Sequence, residues 1–118
     1  MIRIGFIGRT KALYDTICLF KSSDIYKISF IWTCEHEEYY NFSWKNFSKI
    51  ANELNCPFIK SSKIKPDSEH FNSDIVISIN FLNIIPKTFI DKFKYGILNA
   101  HLGNLPRYKG NACPNWAI

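Results

Sequence analysis

Apolar positions come in two kinds along this chain, short β-branched runs and longer stripes at helical spacing, and the two alternate. Residues 2–7 read as a buried strand, with Gly8-Arg9-Thr10 as the turn into a helix. Leu13, Ile17 and Phe20 then fall at i, i+4 and i+7, one apolar helical stripe that ends near Ser22-Ser23. A second strand is predicted over 27–34. The polar and aromatic stretch 35–42 lacks a clean period and reads as a loop over the C-terminal edge of the sheet. Phe47, Ile50, Ala51 and Leu54 repeat at helical spacing until Cys56-Pro57 stops them. Residues 57–60 suit a short edge strand and 67–71 a helical turn. Residues 74–79 are β-branched and hardly alternate, the mark of a parallel strand buried on both faces. Pro86 opens a helix through about Phe93, in the first-turn position where its missing N–H costs nothing. A last strand follows from Tyr95.

Strands and helices alternating in this way predict an α/β, doubly wound, Rossmann-like parallel sheet. The expected order of its five strands is 3-2-1-4-5, with right-handed crossovers. The 118 residues suffice for one domain with a single core, small for a catalytic domain of this type. No repeat, linker or low-complexity segment interrupts them.

Composition sharpens this only a little. The net charge of +5 is spread rather than gathered into a basic tract, so it suits an anionic substrate or RNA as well as a solvated lysine-rich surface. Cys18, Cys34, Cys56 and Cys113 are scattered without a C-x-x-C, and no signal peptide precedes the first strand; reduced thiols in a cytoplasm are the expectation. Cys34 and His36 could share a metal, yet no second ligand pair has suitable spacing, so no metal is expected. No apolar run approaches a membrane span.

The candidate chemistry lies near the end. Asn99 and His101 follow the apolar run Tyr95-Gly96-Ile97-Leu98, so both should sit at the tip of a buried strand, and their i, i+2 spacing points them to one face. A loop containing Pro106 and Gly110 then turns the chain away, so an amide and an imidazole open onto a crevice. A lone histidine is more often structural, and His36 and His70 are read that way. Gly5 and Gly8 invite a dinucleotide fingerprint, with Glu35 as its ribose acid, but Ile7 breaks the pattern. Gly8 serves either as a strand-to-helix turn or as part of a substrate-facing loop. Arg9 and Lys11 beside that helix start could meet a phosphate.

The block Asn99-Ala100-His101-Leu102-Gly103-Asn104-Leu105-Pro106-Arg107-Tyr108-Lys109-Gly110, followed by Pro114-Asn115-Trp116-Ala117-Ile118, resembles the signature of the folate-dependent formyltransferases. The resemblance extends back over the layout from the first strand through residues 81–86. It is most similar to the branch acting on nucleotide-linked amino sugars, through the Tyr-Lys-Gly run followed by Pro and then Trp-Ala-Ile. It implies formyl transfer from 10-formyltetrahydrofolate to a primary amine, with a small-molecule amino-sugar nucleotide as acceptor. His101 would be the base and Asn99 the oxyanion donor. Phe81, Leu82 and Ile84, with Leu105 and Pro106, would border the folate. Arg9, Lys11, Tyr108 and Lys109 would face the acceptor, although Tyr108 and Lys109 also suit loop shaping. Without the resemblance, Phe81, Leu82, Ile84 and Ile85 read as core packing.

One departure stands out. The family's aspartate, a few tens of residues past the histidine, has no counterpart, since the seventeen residues after His101 include no Asp or Glu. Asp74 begins its strand at the far edge of the sheet and Asp91 lies in a helix. Residues 1–118 are therefore expected to be the N-terminal part of a formyltransferase domain, catalytically incomplete and inclined to self-associate, as a homodimer for example, through an uncovered last strand. Competing readings are a methionyl-tRNA formyltransferase fragment, the one case with a nucleic-acid partner, a non-catalytic folate- or nucleotide-binding remnant, and an NAD-binding module.

Overall fold

The structure, a computed structural model, describes residues 1–35 and 42–100. In chain order its elements are β1 (Ile2–Gly8), α1 (Thr10–Phe20), β2 (Tyr26–Thr33), α2 (Trp44–Leu54), β3 (Phe58–Lys60), β4 (Ile75–Ile79), α3 (Lys87–Ile90) and β5 (Ile97–Ala100). All pairings are parallel and the strand order is β3-β2-β1-β4-β5, as the sequence predicts.

Alternation along the strands divides the core between the two faces. Ile4, Phe6, Ile28, Ile31 and Ile79 pack on one face beneath Leu13 and Ile17 of α1 and Phe47, Ile50 and Ala51 of α2. Ile7, Phe30, Trp32 and Val76 pack on the other, beneath Ile64, Phe89 and Phe93. A register shift between Ile4 and Gly5 moves the partner from Ile28 to Phe30, leaving Ser29 as an extra residue in β2. That bulge seats the Phe30 ring where Gly5 has no side chain; a Cβ at Gly5 would lie 2.1 Å from the ring. Buried Ser29 meets the Ser73 hydroxyl, so the displaced polar residue is satisfied.

Element ends explain the departures from expectation. α2 starts on a capping box, Ser43 Oγ accepting from Lys45 N and Asn46 Oδ1 accepting from Ser43 N, and it ends on Asn55 in the left-handed conformation. The Asn55 cap therefore stops this helix before Cys56-Pro57. The helical turn expected over 67–71 is absent: isolated turns stand there, with Phe71 at φ 53° and Asn72 at φ 59°. Arg3 fixes them, its guanidinium donating to the Asn72 and Phe71 carbonyls at 3.1 and 3.2 Å. The helix expected from Pro86 to Phe93 is only Lys87–Ile90, with Pro86 as its extended N-cap. Beyond it the bonds tighten to three-residue steps, Lys92 N to Phe89 O, Phe93 N to Ile90 O and Gly96 N to Phe93 O, which turn the chain back into β5. Among the described residues no helix is long and apolar enough to cross a membrane.

Candidate active site

The strand order reverses between β1 and β4, and in open α/β sheets the crevice beyond the carboxyl ends at that reversal is where ligands bind. Here the reversal is stitched shut. Gly8, at φ 145°, lies so close to β4 that a Cβ would fall 1.9 Å from the Ile79 carbonyl oxygen, so of its two readings the close turn is the one seen. Arg9 N donates to that same oxygen at 3.0 Å. Arg9 Nε donates to the Asn80 carbonyl at 2.6 Å, and Asn80 Nδ2 donates to Thr10 Oγ1 at 3.2 Å. Thr10 at φ 78° and Asn80 at φ 56° both occupy the left-handed region. For a β-branched residue that conformation costs about 1–3 kcal/mol and persists only where its surroundings impose it.

Another part of the edge lies one strand further on. Ser78 pairs with Asn99 and Ile79 with Ala100, so Asn99 stands at the carboxyl end of β5 beside the chain leaving β4. Ile97 packs with the second face and Ala100 with the first, so Asn99, sharing parity with Ile97, looks out on the second face. Phe81 and Ile85 pack on that same face, half-buried. Leu82 and Ile84, by contrast, are 49% and 91% exposed, which overturns their reading as core packing. The left-handed turn at Asn80 lifts the chain off the sheet, and Asn83 Nδ2 donates to the Ser62 carbonyl, holding the segment along the edge. Two large apolar side chains thus stand exposed on the chain leaving β4, at the sheet edge where β5 presents Asn99, an arrangement suited to a flat, partly apolar ligand with a polar rim.

Cys34, buried directly after β2, borders the same edge. Burial pushes its thiol up, while the Leu82 backbone N–H and the Arg9 guanidinium pull it down. Lys11 pairs with Asp15 at 2.9 Å on the exposed side of α1. Of the upstream acids, Asp74 is placed as the sequence suggests, whereas Asp91 is the C-cap of α3 rather than a residue inside it, because the helix stops at Ile90. Asp74 Oδ2 accepts from Arg3 N at 2.8 Å at the opposite edge of the sheet, and Asp91 pairs with Lys87 at 3.0 Å on the surface. His70 shapes a turn, Nδ1 accepting from Asn72 N at 3.2 Å and its ring meeting Phe93 edge-on. His101, Leu105, Pro106, Tyr108 and Lys109, like His36, lie outside the described residues. Sequence reasoning missed Asn80 and Thr10; an Asn directly after a β-branched strand, a residue that tolerates the left-handed region, was the available signal for the first. A cavity of about 260 Å³ opens at the opposite, amino-terminal end of β2, lined among others by Phe20, Lys21, Tyr26, Lys27 and Leu54.

The decisive observation comes from comparison with known proteins: residues 46–118, which include Asn99 and His101, match the family model described as Formyl transferase. The chain belongs to the folate-dependent formyltransferase family. Its relatives include the methionyl-tRNA formyltransferase of Citrifermentans bemidjiense, 36% identical over 74 residues, 58% of this chain and 23% of that protein. The methionyl-tRNA formyltransferase of Clostridium perfringens is 33% identical over 76 residues, 59% of this chain and 25% of that protein. The chain thus spans about a quarter of the length of the curated relatives it matches. Among solved structures, the phosphoribosylglycinamide formyltransferase of Anaplasma phagocytophilum superposes with a TM-score of 0.61 at 25% identity, over 98% of this chain and 57% of that one. Glycinamide ribonucleotide transformylase 1 from Geobacillus kaustophilus shares the fold, with a TM-score of 0.62 at 15% identity over 99% of this chain and 66% of that one. Formyltransferases of this family draw their formyl group from 10-formyltetrahydrofolate.

Proposed function

We propose that this chain carries the donor side and two of the reacting groups of an enzyme that moves a formyl group from 10-formyltetrahydrofolate to a primary amine. The observation that carries the reading is the family match over 46–118, a span that holds the Asn99-x-His101 motif and the segment 81–85 together. In this reading His101 takes the proton of the attacking amine as its nitrogen bonds to the formyl carbon. The Asn99 amide N–H donates to the oxyanion that forms, and the bond from the formyl carbon to the folate nitrogen then breaks with a proton returned to that nitrogen. Phe81, Leu82 and Ile84 border the folate, with Leu105 and Pro106. Lys11, Tyr108 and Lys109 face the acceptor.

For the acceptor we favour methionyl-tRNA, the substrate named for the relatives at 33–36% identity, over the amino-sugar nucleotide. The net charge of +5 suits that polyanion. The amino-sugar nucleotide stays as second reading through Tyr108-Lys109-Gly110, Pro114 and Trp116-Ala117-Ile118. Residues 1–118 would form the N-terminal, Rossmann-like domain of such an enzyme. A cytoplasmic site of action belongs to the same proposal.

The test is tetrahydrofolate release by the intact enzyme supplied with 10-formyltetrahydrofolate and, in separate reactions, methionyl-tRNA, glycinamide ribonucleotide and an amino-sugar nucleotide. Turnover with one acceptor, lowered about 100-fold or more by His101→Ala and by Asn99→Ala, is expected. Near-normal turnover in either variant would remove that residue from the mechanism.

A further inference from the structure

Among the described residues, hydrogen bonds join the turn after β1 to the end of β4 and the turn beyond it: Arg9 N to the Ile79 carbonyl, Arg9 Nε to the Asn80 carbonyl and Asn80 Nδ2 to Thr10 Oγ1. The apolar face there is already filled by Phe6, Leu13, Ile17 and Ile79. Arg9 is the N-cap residue of α1, and its side chain makes no cap hydrogen bond there. Instead Nε reaches across to the Asn80 carbonyl at 2.6 Å, and the Asn80 amide reaches back to Thr10 Oγ1 at 3.2 Å. The exchange is reciprocal, side chain of each turn to an atom of the other. It joins two turns in left-handed conformations, at Asn80, which tolerates that region, and at β-branched Thr10, which does not. What it fixes is the direction in which the chain leaves β4, and so the course of residues 81–85 with exposed Leu82 and Ile84.

We infer that Arg9 and Asn80 form a latch that pre-sets the donor-binding segment, making Arg9 a positioning residue for the folate rather than a contact for the acceptor's phosphate. This rests on the reading of residues 81–85 as the folate border. Preorganisation of this kind acts on affinity, because an ordered segment loses less freedom when the ligand arrives. Loss of the latch therefore weakens donor binding and leaves the reacting groups of β5 in place.

Arg9→Met keeps the aliphatic stem and deletes the Nε donor; Asn80→Gly keeps the backbone conformation and deletes the amide. In the intact enzyme each should raise the KM for 10-formyltetrahydrofolate, and the Kd of the unreactive probe 5-formyltetrahydrofolate, by about tenfold. The change in kcat and in acceptor KM should stay within about threefold. Hydrogen–deuterium exchange on the ligand-free variants should speed up at residues 80–85 and stay unchanged in β2 and α2. Exchange at 80–85 that does not change in either variant overturns the latch. Faster exchange with undiminished folate binding, or a rise in acceptor KM alone, overturns the positioning role. A wild-type protein that fails to bind 5-formyltetrahydrofolate overturns the donor reading, and with it the positioning role, while the exchange result still decides whether the latch exists.

Discussion

On one face of the sheet two helices of 11 residues each, α1 and α2, lay down Leu13, Ile17, Phe47, Ile50 and Ala51 at regular spacing. On the other face a helix of four residues and irregular chain deliver Ile64, Phe89 and Phe93. The first face is a conventional covered surface, with the polar termini of α2 closed by a capping box and a left-handed Asn. The second is built from turns, and the same turns continue to the C-terminal edge as residues 80–85. Irregular backbone thus supports the core and also shapes the candidate site, so packing and function are coupled on that face alone.

The sharpest way to break this comparison is to truncate one aromatic on each face. Phe47 and Phe89 are both fully buried, so Phe47→Ala and Phe89→Ala should each lower unfolding free energy by about 3–5 kcal/mol in urea titrations. Only Phe89→Ala should also weaken 5-formyltetrahydrofolate binding in the fraction that remains folded, because Phe81 and Ile85 pack on its cluster. Equal loss of binding in both variants would dissolve the distinction between the faces.

Smaller effects come from the two described glycines with positive φ. Gly8→Ala meets both a φ of 145° and the Ile79 carbonyl, and should cost about 2–3 kcal/mol. Gly96→Ala meets a φ of 74° but open space, and should cost about 1 kcal/mol, so thermal melts of the pair separate close approach from backbone strain. Ser43→Ala removes the cap of α2 and should cost about 1 kcal/mol by the same melts.

How far the sequence could be read follows the same division. The stripes Leu13, Ile17, Phe20 and Phe47, Ile50, Ala51, Leu54 are periodic because a regular helix lies over a flat sheet face, and period reports that geometry directly. The β-branched runs and their order were legible for a similar reason, since parallel strands buried on both faces need uniform apolar residues. The second face has no such period. The turns at Phe71 and Asn72 depend on Arg3, 68 and 69 residues away in the chain, and the brevity of α3 depends on where β5 must begin. In the site, Asn99 was placed correctly at the end of β5 by alternation. The exposure of Leu82 and Ile84 was not legible, because apolar residues after a strand look alike whether they pack or border a ligand.

The weakest of the expected effects is one of pH. Burial pushes the Cys56 thiol, just past α2, up to about 11 from an ordinary 9.0. The folded state then keeps a proton that the unfolded chain releases, so this contribution to stability is complete below about pH 9 and is lost as pH rises through about 11. Cys56→Ala should flatten that part of the stability profile relative to wild type; an unchanged slope between pH 9 and 11 would place the thiol in an ordinary environment.

In the proposed reading the donor sits at the edge between β4 and β5, on the second face. Backbone amide shifts in NMR spectra, recorded while 5-formyltetrahydrofolate is titrated into the protein, test it most directly. The largest shifts are expected at Phe81, Leu82, Ile84 and Asn99, with Phe20, Tyr26 and Leu54 at the opposite end of the sheet unmoved. Shifts confined to those last three residues, or to Gly8 through Lys11 alone, would contradict it.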